Sequence, residues 1–297
     1  MPAKFAHKAA IQTGLGHVQI SRVGYRKEGY SLGGSIFVHD DGRWSLIGSE
    51  AKFKPEQDEG TPTKSRMVQL ESKDAGVTWS KPREILFGGK PASAYGWREF
   101  VWPHAITRLR DGTLIGTGYR VEIAPGSKTV DNTTRRDQSF VVRSTDDGRT
   151  SSAPIFIDTT KFDTNECMVG EPGPGKLISF SRTLRGRHMW TATSEDGGQS
   201  WSALKESSVS GECPVMLTHS SGALVLATRG TGVTISFDGG KSWTKLRVPT
   251  VDGMMAMAEL SDGRVLIAGH MGWYNPSYIT ADTFRVTRDG PVADRRR

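Results

Sequence analysis

Apolar positions along this chain fall into short runs, and the runs come in pairs. Each pair is joined by a tight turn with Gly at its second position. The first copy passes from Ile36-Phe37-Val38 through Asp41-Gly42 to Leu46-Ile47. The second passes from Ala105-Ile106 through Asp111-Gly112 to Leu114-Ile115, and the third from Met168-Val169 through Pro174-Gly175 to Leu177-Ile178. The fourth joins Val215-Met216-Leu217 to Leu224-Val225 through Ser221-Gly222, and the fifth joins Met257-Ala258 to Val265-Leu266-Ile267 through Asp262-Gly263. Glycine in the second turn position and β-branched flanks mark antiparallel hairpins, so the pattern predicts five of them and no long helix.

A second motif follows the hairpins. Ser72-Lys-Asp74-Ala-Gly76-Val-Thr-Trp79 is its first copy, and Ser144-Thr-Asp146-Asp-Gly148-Arg-Thr-Ser151 is its second, with Ser in place of Trp. Ser194-Glu-Asp196-Gly-Gly198-Gln-Ser-Trp201 and Ser236-Phe-Asp238-Gly-Gly240-Lys-Ser-Trp243 complete the set. In this S-x-D-x-G-x-x-W pattern the Asp accepts hydrogen bonds from turn amides, the Gly supplies a positive φ, and the Trp packs back between sheets. These Asp residues are therefore structural. Inner hairpin, loop and outer hairpin with this box form a repeating unit, which predicts an all-β propeller. The count of inner hairpins gives five blades. The chain is expected to form one propeller domain over 1–297, with N-terminal strands from 9–13 and 17–21 closing the last blade.

Composition narrows the function. The net charge is +7 and the pI about 9.4, which suits an acidic partner. No zinc-finger, RNP or recognition-helix pattern is present, so the expected partner is an acidic carbohydrate and not a nucleic acid. No apolar run is long enough to span a bilayer, and Met1-Pro-Ala-Lys-Phe-Ala-His7 lacks the apolar core of a signal peptide. The expectation is a cytoplasmic protein without a membrane anchor, unless a leader has been removed. Cys167 and Cys213 lack metal-ligand spacing and read as small buried residues. No cofactor or metal is implied, and the oligomeric state is left open.

Propeller geometry turns the alignment into a site. The end of each second strand lies beside the start of each innermost strand, around the central axis. Eight residues beyond the turn Asp, or its equivalent, stand Ser49, Tyr119, Arg182, Arg229 and His270, with Glu50 and Arg120 immediately after two of them. His104, Glu166 and Glu212 stand at the starts of inner strands. Arginines converging on one axis repel unless a carboxylate or bound anion joins them. The insertions 51–66 and 121–137 read as rims over this face. Trp97, Trp102, Trp273 and Tyr274 lie near strand ends, where they either stack on sugar faces or pack in the core.

The boxes, together with Asn165-Glu166-Cys167-Met168-Val169 and Ser179-Phe180-Ser181-Arg182, resemble the sialidase (neuraminidase) superfamily over most of the chain. The resemblance implies six blades, Glu166 as the base that activates a nucleophile, and Arg182 and Arg229 as carboxylate ligands. The sequence departs from that pattern in two places. Tyr30-Ser31-Leu32-Gly33 lacks the first arginine, and 252–257 has no tyrosine where the family's nucleophile is expected. Three functions follow. The first is a sialidase-like exo-glycosidase with an Arg182, Arg229 and Arg120 clamp and carboxylate chemistry from Glu166 with Glu50 or Glu212. The second is a uronate lyase using His104, Tyr119 and His270 with an arginine neutraliser. The third is a non-catalytic glycan- or protein-binding propeller.

Overall fold

The computed structural model describes residues 19–20, 30–39, 41–52, 64–97, 99–127, 133–160, 163–246, 255–271 and 278–293. They form five antiparallel sheets in chain order. The first holds β1 (Gln19–Ile20), β2 (Tyr30–Val38), β3 (Trp44–Lys52), β4 (Lys64–Ser72) and β5 (Arg83–Glu84). The second holds β6 (Glu99–Arg108), β7 (Leu114–Ile123), β8 (Arg135–Ser144) and β9 (Ile155–Phe156). The third holds β10 (Thr164–Gly173), β11 (Lys176–Thr183), β12 (His188–Ser194) and β13 (Lys205–Ser210). The fourth holds β14 (Glu212–Thr218), β15 (Leu224–Arg229), β16 (Gly232–Ser236) and β17 (Thr244–Leu246). The fifth holds β18 (Met255–Glu259), β19 (Arg264–Met271), β20 (Tyr278–Thr287) and β21 (Gly290–Ala293). One short 3-10 turn, Ala92–Tyr95, is the single helical element among the described residues.

This is a five-bladed propeller arrangement, as the five hairpins predict. The sixth blade implied by the family resemblance is not found among the described residues. Gln19–Ile20 pair with β2 in the first blade, and β21 pairs with β20 in the last. Residues 9–13, expected to add a closing strand, lie outside the described residues.

Each predicted turn closes as a hairpin. In the first, second, fourth and fifth, the N–H of His39, Leu109, His219 or Leu260 donates to the carbonyl four residues on, and Gly42, Gly112, Gly222 or Gly263 returns the favour to its opener. All four boxes share one wiring. In the first, Ser72 Oγ donates to Asp74 Oδ1 at 2.7 Å, and the Gly76 N–H donates to Ser72 Oγ at 2.8 Å. Thr78 supplies an N–H and an O–H to the Asp74 carboxylate. These donors favour the charged form and hold the Asp74 and Asp196 carboxyls at about 2. The boxes thus serve the turns, as their spacing predicts.

Apolar side chains fill the space between neighbouring sheets. Phe180, Leu224, Leu226 and Val265 anchor the largest cluster, which spans the third, fourth and fifth blades. Cys167 and Cys213 are buried and unpaired, and burial pushes both thiols up to about 12. Polar links cross between blades near the turns. His39 Nδ1 lies 2.5 Å from Asp147 Oδ2, which also accepts from Arg43 at 2.9 Å, while Asp147 Oδ1 accepts from Arg108 at 2.8 Å. This knot borders a cleft of about 720 Å³ lined by Asp41, Asp111, Asp146 and Arg149. The cleft lies at the box end of the second blade, away from the strand ends that carry the predicted site.

Candidate functional site

The inner strands of three successive blades are broken at the same place. Register shifts occur between Val101 and Ala105 in β6, between Asn165 and Met168 in β10, and between Glu212 and Val215 in β14. Extra residues in an inner strand form a β-bulge, which bends the strand and re-aims its side chains. Opposite the residue before each break stands Tyr119, Arg182 or Arg229. The turn-based alignment therefore found structurally equivalent positions.

The bulges also correct the sequence register. Glu166-Cys167 and Glu212-Cys213 read as matching pairs, but Glu212 lies opposite Arg229 whereas Asn165 lies opposite Arg182. Glu166 is thus equivalent to Cys213. Both adopt the left-handed region, with φ of 42° and 49°. A non-glycine residue there costs roughly 1–2 kcal/mol and marks a position held by its surroundings.

Those surroundings are charged. Arg182 Nη1 donates to Glu166 Oε1 at 2.9 Å, and the Cys213 N–H donates to Glu166 Oε2 at 3.0 Å. Arg182 Nη2 reaches Glu212 Oε1 at 3.4 Å, and Glu212 Oε2 pairs with Arg229 Nη2. The order is Glu166, Arg182, Glu212, Arg229. Carboxylates of the chain itself thereby join the converging arginines. Glu166 is 16% exposed and Glu212 is 43% exposed at the side chain, so the outer carboxylate is the one a ligand can replace.

His104 and Tyr119 complete the neighbourhood. His104 donates to the Pro214 carbonyl, in the bulge of the fourth blade. Burial lowers its pKa, against the pull of the Glu166 charge, so the imidazole is held neutral. Burial raises the Tyr119 pKa, and the negative charges of Glu166 and Asp137 raise it further. The phenol is held protonated.

A supporting layer was not anticipated from the sequence. The Asp137 side chain is fully buried and accepts from Arg135 Nε at 3.1 Å and Nη2 at 2.7 Å. Asp137 Oδ2 also accepts Asn165 Nδ2–H at 2.8 Å. The Asp163 N–H donates to the Asp137 carbonyl at 2.7 Å, and the Ser139 N–H donates to Thr164 Oγ1 at 3.2 Å. Strand β8 therefore grips residues 163–165, directly before Glu166. Within the expected rim 121–137, β7 and β8 stay paired out to Ile123 and Arg135, and 128–132 lie outside the described residues.

Two expected site residues lie elsewhere. Successive side chains on a strand face opposite ways, and Arg120 takes the face opposite Tyr119. Its guanidinium sits over Phe156 at 4.7 Å and pairs with Glu122 at 3.0 Å, so it belongs to the outer packing of its blade and not to the clamp. Trp102 is carried into the core by the β6 bulge, 6% exposed and edge-on to Phe87, under Gly116 and Gly118. It is not a sugar platform. Trp97 likewise stacks on Phe100 with rings 5.1 Å apart. The backbones of Glu50 and His270 stand at the ends of β3 and β19, paired with Leu32 and Ile279, and their side chains lie outside the described part. Trp273, Tyr274 and 252–254 also lie outside the described residues. Among the described residues no group of three or more His, Cys, Asp or Glu side chains is arranged to hold a metal ion, and no helix is long and apolar enough to cross a membrane.

Comparison with known proteins agrees with this architecture. The model of the BNR repeat-like domain family matches residues 36–212, well over half of the chain, and that of the BNR/Asp-box repeat matches 234–245. No curated protein matches the chain. Among solved structures, a Hadza microbial sialidase is similar at 18% identity and a TM-score of 0.58, over 81% of this chain and 50% of that one. The intramolecular trans-sialidase of Ruminococcus gnavus is similar at 16% identity and a TM-score of 0.56, over 92% of this chain and 69% of that one. The leech intramolecular trans-sialidase is similar at 16% identity and a TM-score of 0.54, over 88% of this chain and 47% of that one. At these identities the likeness is one of fold. The chain spans about half the length of the Hadza and leech proteins.

Proposed function

The chain belongs to the BNR repeat-like domain family, and on that premise we propose that it is a glycoside hydrolase acting on a carboxylate-bearing sugar. The observation that carries the reading is the run Glu166, Arg182, Glu212, Arg229 at the strand ends of two adjacent blades. Two guanidiniums aimed at one half-exposed carboxylate form a site for a carboxylate. A sugar carboxylate displaces Glu212 and takes its place between Arg182 and Arg229. Glu166, held by Arg182 and by the Cys213 N–H, then serves as the acid/base carboxylate: it protonates the leaving glycosidic oxygen and takes a proton from the water whose oxygen bonds to the anomeric carbon. Tyr119, held protonated within the field of Glu166, stays a neutral phenol beside that carboxylate.

A second reading has its own observation. β-Elimination from a uronate needs a neutral base and a protonated donor. His104 is held neutral and Tyr119 is held protonated, both in the field of Glu166. In that chemistry Arg182 neutralises the uronate carboxylate, His104 takes the C5 proton, and the Tyr119 hydroxyl protonates the leaving oxygen. Product analysis on sialosides and uronate polymers separates the two. Free acidic sugar supports hydrolysis, an unsaturated product supports elimination, and binding without any product supports a non-catalytic glycan-binding propeller.

A further inference from the structure

Beyond the inner pair of arginines, the same face carries a basic arc that the site does not use. The loop between β11 and β12 presents Arg185, Gly186 and Arg187, and β12 opens with His188, all exposed. Hydrogen bonds fix it on both sides. Arg185 Nη2 donates to the carbonyls of Thr133 and Arg135, at 2.9 and 3.3 Å, and so braces the loop against the tip of the β7–β8 hairpin. On the other side the Gly211 N–H donates to the Arg187 carbonyl at 3.1 Å, directly before Glu212. The Leu184 N–H is held by Asp163.

The loop with Arg185 and Arg187 thus runs from the Thr133 and Arg135 carbonyls on one side to the start of β14 on the other. Its charges are unevenly balanced. Asp137 neutralises Arg135, Asp163 lies in the field of Arg185, and Glu206 stands 4.0 Å from His188. Arg187 has no hydrogen-bonded or ion-paired side-chain partner among the described residues. Arg182 lies only two residues before this loop, so the basic arc opens directly from the inner site.

We propose that this loop, braced on the carbonyls of Thr133 and Arg135, forms a second anionic subsite, which takes a further acidic residue of an anionic oligosaccharide whose first acidic sugar lies between Arg182 and Arg229. The inference rests on the proposed function for the inner site and adds the substrate class: glycans with acidic groups on more than one residue. Exposed arginines act through screened charge, so the outer contribution falls as ionic strength rises.

The test is binding, which needs no turnover. Hexamers of sialic acid and of galacturonic acid are titrated against the full chain, each beside its monomer, at low and at high salt. Arg187→Glu and Arg185→Glu are compared with Arg187→Lys. The expected result is that at least one hexamer binds more tightly than its monomer. Each charge reversal then weakens that hexamer by roughly tenfold at low salt, Arg187→Lys preserves binding, and the monomer is unaffected. Because Arg185 also braces the hairpin tip, Arg187→Glu is the decisive variant. Hexamers that bind no better than monomers, or Arg187→Glu without effect on them, would overturn the subsite. Equal loss on monomer and hexamer would overturn it too. A short duplex DNA binding as tightly as the better hexamer, with the same Arg187 dependence, would overturn the glycan assignment. Arg182→Met separates the two readings. It abolishes monomer binding if the inner site is correct, whereas monomer binding unchanged in Arg182→Met, with hexamer binding still dependent on Arg187, supports the arc and removes the inner reading.

Discussion

Glu166 and Cys213 occupy the same place in two successive blades, and the carboxylate of the first accepts the backbone N–H of the second at 3.0 Å. Each is the left-handed residue of the bulge in its inner strand. The bulge of the third blade therefore holds the bulge of the fourth, and Arg182 closes the arrangement from the other oxygen.

Displacement of Glu212 by substrate has a direct consequence. Glu212→Ala removes the competitor for Arg182 and Arg229 and leaves two guanidiniums, 23% and 22% exposed, without the carboxylate between them, so a bound anion gains both. Binding of an acidic monosaccharide should tighten by roughly tenfold, about 1.4 kcal/mol, in a titration at low salt. Weaker binding would show that Glu212 itself contacts the sugar.

Asp137 is expected to matter for both folding and site geometry. Asp137→Ala leaves Arg135 without its buried partner and frees Asn165, at a cost of about 3–5 kcal/mol in urea unfolding. Asp137→Asn keeps the size and one acceptor, so it should fold with a smaller loss and still impair the step that needs Glu166. A variant as stable as wild type would deny Asp137 its supporting role.

The first Asp box carries a correctable flaw. Ala75 stands at φ 54°, where the third and fourth boxes have Gly197 and Gly239 at 68° and 75°. It is exposed, so nothing packs on its methyl group. Ala75→Gly should stabilise the protein by about 0.5–1 kcal/mol in chemical denaturation. Asp147 occupies the same position in the second box at φ 64°, but there the side chain accepts from His39, Arg43 and Arg108. Asp147→Gly should destabilise by about 1–3 kcal/mol despite the relieved backbone. Opposite signs at equivalent positions would separate backbone strain from side-chain bonding.

Acid should unfold the protein in two stages. Burial holds His39 and His104 below the ordinary value of 6.5, although Asp147 opposes this at His39 and Glu166 at His104. A histidine depressed in the folded state binds its proton more weakly there than in the unfolded chain. The resulting stability is complete above about pH 6.5 and is lost as pH falls below it, toward the folded values. Asp74 and Asp196, held at about 2, keep their contribution down to about pH 4 and lose it as pH falls through about 2. Urea midpoints measured from pH 7.5 downward should show both stages. His104→Gln, which keeps a donor for the Pro214 carbonyl, should shrink the first stage. A midpoint flat from pH 7.5 to 5 would contradict it.

The fold was legible because its signals are local. The turn glycines and the Ser-x-Asp-x-Gly spacing each act within eight residues, and counting along the chain finds them. Arg182 and Arg229 were also reachable, because alignment on the turn carries the register through an unbroken second strand. The Glu-Cys pair shared by the two inner strands set Glu166 against Glu212, whereas its partner in register is Cys213. Asp137 was missed because its role depends on hydrogen bonds from β8 to residues 163–165 of the next blade. No alternation marked the strand, because Arg135-Arg136-Asp137-Gln138-Ser139 is polar throughout. Arg120 and Trp102 were misplaced for related reasons, strand alternation in one case and the bulge in the other.

The central claim is that Glu166 is the reacting carboxylate of a site for acidic sugars. It is tested most directly by release of free acidic sugar from sialosides and uronate glycans, with wild type and Glu166→Gln side by side. Both proteins are first checked by thermal unfolding. The account predicts release by wild type and a loss of roughly 100- to 10,000-fold in Glu166→Gln, with the variant still folded. A folded Glu166→Gln that releases the sugar at the wild-type rate would contradict it.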